Sequence, residues 1–160
     1  MSPWWWPDGD GYVVGCKFSD SGVSFTTAWV RTERFLVEDK AGRAVCLKLG
    51  DLHGTAGLAI MALDGVKNAL GAGCDSPMGT ANTALEFHAG RLLALNEGDV
   101  PWSLRVLCEG ALETMGAVKF GGKLGTRTFT AHPKVDASTG ELLYFGYQVR
   151  LVFCLQLFQL

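Results

Sequence analysis

The sequence lacks an excess of charge of either sign: 14 lysines and arginines stand against 16 aspartates and glutamates, for a net charge of −2. No basic field is present to draw a nucleic-acid backbone, so nucleic acid is excluded as a partner. Prolines number only 5, and the 21 glycines follow no three-residue period, which excludes a collagen-like rod. No apolar run near either end is long enough to span a bilayer, since the stretch 149–160 is broken by Arg150, Gln156 and Gln159. The first residues, Met1 to Pro7, carry three tryptophans but neither a basic n-region with an apolar core nor an Arg/Ser-rich stretch. No targeting segment is therefore visible, and a cytoplasmic or plastid location is expected. Closely spaced cysteines are missing too. Cys16, Cys46, Cys74, Cys108 and Cys154 stand too far apart for zinc or redox motifs, so reduced, mostly buried thiols are expected.

What is present is apolar and turn-rich. A hydrophobic content of 48% with balanced charge excludes disorder, and 160 residues suit one ordinary domain. Tyr12 to Phe18 and Val23 to Val30 read as strands around the loop Ser19 to Gly22, a hairpin. The charged stretch Arg31 to Lys40 reads as a loop or edge. Over 55–70 the spacing changes: Leu58, Met61, Ala62, Val66, Ala69 and Leu70 share one helical face, opposite Asp64, Lys67 and Asn68, with Thr55 as N-cap. Ile60 and Leu63 fall off that face. The helix either packs over the body of the protein or presents a surface to lipid or a greasy substrate. After a glycine-rich loop, Gly71 to Gly79, strands return at Thr83–Phe87, Arg91–Leu95, Ser103–Cys108, Leu112–Phe120, Thr126–Ala131 and Leu142–Val149. This spacing predicts a mainly β sandwich, barrel or propeller.

Several motif readings fail on chemistry. Asp8 and Asp10 open like a calcium loop, but Tyr12 and Ser19 occupy positions that need an oxygen ligand and a bidentate Glu. Gly122-Lys123 lacks the remainder of a phosphate loop, the run from Gly71 lacks a dinucleotide loop's third glycine, and no nucleophile elbow exists. No catalytic residue is identified. Of three histidines, His53 and His88 read as loop residues. His132 follows the β-prone run Thr128 to Ala131 and precedes Pro133, which disfavours helix at the residue before it. An imidazole held in extended geometry at a strand end is either a metal ligand or a satisfied structural histidine.

Longer segments carry a resemblance. Gly79 to Glu97 with Pro101, then Phe129-Thr-Ala-His-Pro-Lys-Val-Asp136, Gly140-Glu141 and Phe145-Gly-Tyr147, resemble the carotenoid cleavage dioxygenase family, closest to its plant and algal branch. Trp6 to Gly11, Arg31-Thr32 and Lys48 to Asp51 are similar to its early strands, in the same order. The resemblance implies a seven-bladed β-propeller capped by a dome, with Fe(2+) held on the axis by four histidines. The implied chemistry is oxidative cleavage by O2 of a conjugated double bond in a carotenoid or apocarotenoid, to two carbonyl products. His132 matches one iron ligand and Glu97 a glutamate that hydrogen-bonds a ligating histidine, fixing its tautomer. The helix near 55–70 matches the dome, and Leu58, Ile60, Met61 and Leu63 match a membrane or substrate-entry surface.

At about 40–45 residues per blade, the chain is expected to be an N-terminal fragment of about two to three blades over 1–147, followed by a hydrophobic tail, 148–160, unlike the family. With one histidine of four, the isolated chain is expected to be inactive. The alternative is a noncatalytic lipid- or partner-binding module derived from the same fold. A mononuclear metal hydrolase is disfavoured, because clustered His and carboxylate ligands are absent from the sequence.

Overall fold

A computed structural model describes residues 8–71, 74, 79–124, 128–149 and 153–159. Strands β1 (Tyr12–Ser19) and β2 (Gly22–Trp29) pair antiparallel from Tyr12 opposite Trp29 to Ser19 opposite Gly22. The turn is Asp20-Ser21, tighter than the four-residue loop expected. On the inner face of this hairpin Val13, Thr26 and Ala28 are half-buried beside the buried Val30. The large apolar ones, Tyr12, Val14, Phe18, Val23, Phe25 and Trp29, share the opposite, exposed face.

The stretch expected as a loop at Arg31 to Lys40 is instead a helix, α1 (Glu33–Ala41). Thr32 caps it by accepting the Phe35 amide at 3.1 Å, and Gly42 ends it in the left-handed region that glycine enters without strain. Apolar periodicity misses α1 because its one buried residue is Arg34. That guanidinium donates to the Asp8 carbonyl at 2.9 Å and lies 3.8 Å from the Glu38 carboxylate. Glu38 in turn accepts the amides of Val45 and Cys46, and Asp8 accepts the Gly50 amide. Segments far apart in sequence thus converge on one buried cation, which would be costly to bury without such partners.

Helix α2 (Gly54–Ala69) lies where periodicity predicts one, with two differences. Its N-cap position is His53, without a side-chain cap bond, not Thr55. The face that packs is also not the apolar one expected: Gly57, tight against the Leu52 backbone, is the helix's one buried residue, and Ile60, Asp64 and Asn68 on the same side are half-buried.

A four-stranded antiparallel meander follows: β3 (Ala84–His88), β4 (Arg91–Leu95), β5 (Trp102–Val106) and β6 (Leu112–Ala117), in that order. Ala89 and Gly90 turn the first hairpin with φ of 48° and 75°, the mirror-image turn that fits strand twist. A second sheet holds β7 (Lys134–Val135), β8 (Leu142–Val149) and β9 (Phe153–Gln159). Thr128 to Ala131 is not a strand. The amides of Phe129 and Thr130 go to the Asp99 and Phe145 carbonyls, one bond to each sheet's side, so the segment bridges the sheets and builds no ladder.

Strand β4 is buried on both faces. Leu93 and Leu95 enter a core with Val118, Phe129, Ala131, Leu142 and Tyr144, which couples the meander to the second sheet. Ala94 enters another with Val30, Ala81, Trp102 and Leu104, which couples it to the first hairpin. Each large side chain so buried contributes about 1.5–3 kcal/mol. Phe129 stacks on Tyr144 with ring centroids 4.3 Å apart.

The expectation of reduced thiols is corrected at one pair. Cys46 and Cys74 form a disulfide with Cα atoms 5.0 Å apart, while Cys16 and Cys108 are free and exposed. Linear spacing hid the pair, because the residues between them fold away as α2 and return.

Asp99 is buried between the layers. Its Oδ2 accepts the Trp102 indole N–H at 2.9 Å, and a Cβ on Gly79 would collide with its side chain. Burial pushes the Asp99 carboxyl up, with the Trp102 bond partly opposing it. A raised carboxyl binds its proton more readily in the folded chain. Its contribution to stability is therefore greatest below the unfolded value of about 3.9 and falls as pH rises through the folded one. Asp99→Asn retains an acceptor for Trp102 without ionising. Urea melts at a series of pH values should show the variant gaining on wild type as pH rises from about 4 towards 7. A difference independent of pH would contradict this.

Candidate functional site

The polar residues of the family-like segments meet at the end of β4. Leu95 is the last buried residue of that strand, and Asn96, Glu97 and Gly98 continue past it. Asn96 donates through Nδ2 to the Asn82 side-chain oxygen at 3.0 Å, and its own oxygen accepts the Gly98 amide at 2.8 Å. Asn82 donates in turn to the Gly9 carbonyl at 2.6 Å. The two asparagines therefore lock the β4 end to the segment before β3 and to the N-terminal segment.

Glu97 points the other way, into the segment that carries His132. Its Oε1 accepts the Ala131 amide at 3.0 Å and the Thr130 hydroxyl at 3.3 Å. That hydroxyl accepts the His132 amide at 3.1 Å. Phe129 and Ala131 are held in the core, so the backbone enters His132 fixed from both sides. Pro133 is buried, whereas the His132 side chain is exposed. Glu97 thus contacts the backbone one residue before His132 and the hydroxyl of Thr130.

The remaining predicted residues lie elsewhere. His53 is exposed at the start of α2, and His88 is half-buried at the end of β3 opposite Arg91. Leu58, Met61 and Leu63 are exposed by 69%, 52% and 61%, and Ile60 is half-buried. Leu58, Met61 and Leu63 thus face outward, whereas Ile60 lies on the face of α2 that carries the buried Gly57. Among the described residues no three His, Cys, Asp or Glu side chains form a group able to hold a metal ion. Nor is any helix among them long and apolar enough to cross a membrane.

A neutral imidazole is the right donor for Fe(II), but a single donor is not a binding site. The residues described do not by themselves fit an iron ion. What the arrangement does is present one imidazole outward on a backbone clamped by Glu97. Sequence reasoning missed Asn82, Asn96 and Thr130 as the residues that join the segments, although each lies inside a motif that carries the resemblance. Asn96 alone carried a signal, a polar side chain just beyond the apolar strand β4.

Glu97→Ala leaves the Ala131 amide without its acceptor. It is expected to cost about 1–3 kcal/mol and to raise hydrogen exchange at Ala131 and His132 more than at Leu93. Unchanged exchange at Ala131 would refute the clamp.

Comparison with known proteins gives this geometry a setting. The retinal pigment epithelial membrane protein family profile matches residues 4–159. The chain is 42% identical over 144 residues to a carotenoid 9,10(9',10')-cleavage dioxygenase 1 of Arabidopsis thaliana, covering 89% of this chain and 26% of the relative. It thus spans about a quarter of the length of the curated relative. Among solved structures it resembles a lignostilbene dioxygenase of Pseudomonas brassicacearum, at 33% identity and a TM-score of 0.66, covering 88% of this chain and 25% of that one. It also resembles a cobalt-substituted apocarotenoid oxygenase of Synechocystis, at 29% identity and a TM-score of 0.65, covering 96% and 31%.

Proposed function

The chain belongs to the carotenoid oxygenase family, that of retinal pigment epithelial membrane protein, and from that premise we propose that it is part of an iron-dependent dioxygenase. The reaction is oxidative cleavage of a conjugated double bond in a carotenoid or apocarotenoid. One O2 is consumed, the C=C bond breaks, and each carbon leaves as a carbonyl. The observation that carries this reading is the clamp of Glu97 on the segment Thr130-Ala131 that delivers His132. It joins the two segments most like the family at the one imidazole the family pattern requires here.

In this reading His132 is one iron ligand, and Glu97 holds the strand end that orients it. Other ligands come from sheets that this chain does not contain. Bound iron would supply O2 activation. The chain's own residues fix one donor's position and leave its ring accessible to the metal. The four-stranded meander is one blade, and β7 to β9 contribute three strands of the next. Since β9 pairs with β8 along its whole length and the family match runs to residue 159, we assign 148–149 and 153–159 to that second blade, beyond the boundary expected at 147.

One imidazole cannot hold Fe(II) firmly, so the 160-residue chain alone is inactive. Titration with Fe(II) under air, with oxygen uptake and product carbonyls measured on an apocarotenoid, should show no turnover above free iron. Saturable turnover abolished by His132→Ala would overturn the claim of inactivity.

The exposure of Leu58 and Met61 supports a second reading, a noncatalytic module that binds lipid through α2. Wild type should then float with phosphatidylcholine liposomes, and the Leu58→Asp, Met61→Asp variant should not. Sedimentation of wild type with the unbound fraction would sink this reading.

A further inference from the structure

We infer that Cys46 and Cys74 form a reversible dithiol–disulfide site that governs how firmly the far end of α2 is held. The two cysteines are 28 positions apart in sequence, and the whole of α2 lies between them. Their surroundings differ in what holds them. Cys46 sits on a fixed platform: its amide and that of Val45 each donate to Glu38 Oε1 at 2.9 Å, and Glu38 is paired with the buried Arg34. Cys74 is buried beyond the C-terminal end of α2.

Helix α2 itself is tethered mainly at its beginning. Gly57, in the first turn, packs on Leu52, and no later residue of the helix is buried. Asn68 is half-buried, its Nδ2 donating to Asp64 of the same helix at 3.1 Å and its Oδ1 buried, while Leu63, Val66 and Leu70 are exposed. Packing therefore holds the beginning of the helix most firmly, and a half-buried stripe of Ile60, Asp64 and Asn68 runs on from it. The covalent bond to the Glu38 platform fixes the far end. A cross-link closing such a loop restricts the opened states of the segment most strongly where little else holds it.

The reaction is thiol–disulfide exchange with a small or protein disulfide, R–S–S–R. One cysteine thiolate attacks a sulfur of R–S–S–R, forming a mixed disulfide and releasing one R–SH. The second cysteine thiolate then displaces the other R–S−, closing the Cys46–Cys74 bond. Two electrons and two protons pass from the cysteines to the two R–SH products. In the reverse reaction one R–S− attacks the sulfur of Cys46, whose side chain is half-buried where that of Cys74 is buried. A second R–S− then attacks the mixed disulfide, leaving R–S–S–R and both cysteine thiols.

The test uses the 160-residue chain equilibrated with glutathione at oxidising and reducing ratios, then digested briefly with trypsin under native conditions. Mass spectrometry of the alkylated oxidised sample should find the peptide containing Cys46 linked to the peptide containing Cys74. Cleavage after Lys67, in the last turn of α2, should be at least about tenfold slower in the oxidised chain. Cys46→Ser should cleave at the reduced rate under both conditions. Should that variant fail to fold, the wild-type comparison still decides, because the same chain serves as its own control. Absence of the linked peptides at every glutathione ratio, or equal cleavage rates in the two states, would overturn the proposal.

Discussion

The double burial of β4 is the constraint on which the rest of the structure depends. A strand with water on one face needs one neighbouring layer, whereas Leu93, Ala94 and Leu95 in succession require two. The second sheet and Phe129 cover one side, and Val30 with Ala81 covers the other. Three sheets are thereby held in sequence through a strand of five residues. The polar strip at the end of β4 exists because of this. Asn96 reaches one neighbour and Glu97 the other, so their hydrogen bonds inherit the order that the apolar side chains impose. Loss of the core would release the His132 segment even with every polar residue intact.

How much of this was legible in the sequence follows from which physical signal each element carries. The meander hairpins were legible because period-two alternation and short glycine-bearing turns are local. Helix α2 was legible from spacing, but its packing was not. Periodicity reports that a stripe exists, not whether anything covers it. Helix α1 was missed because its inward residue is Arg34, and apolar periodicity cannot register a helix whose buried side chain is a cation. The cap signals were nonetheless there, in Thr32 at the start and Gly42 at the end. Thr128 to Ala131 read as a strand from composition, yet its amides are divided among Asp99, Phe145 and Glu97. The disulfide was illegible for a different reason, since its two ends approach only through tertiary structure.

The site was legible only through resemblance. Composition and spacing alone left His132 between two readings, and nothing local distinguished Glu97 from a solvated loop residue. The Glu97 to Ala131 bond spans 34 positions, and no window of sequence contains it. Resemblance supplied both residues together, and the geometry adds a form of coupling that resemblance did not specify: the carboxylate steadies the backbone that carries the histidine.

The uncovered apolar surface has its origin in how the strands alternate. In β1 and β2 the alternation is clean, yet the large apolar side chains face out, the reverse of a hairpin covering a core by itself. A hairpin with a half-buried inner face and an apolar outer face is the middle layer of a stack, as β4 is within this chain. Leu85, Phe87 and Met115 repeat the pattern on the meander. Uncovered apolar faces are what about a quarter of a relative's length should present.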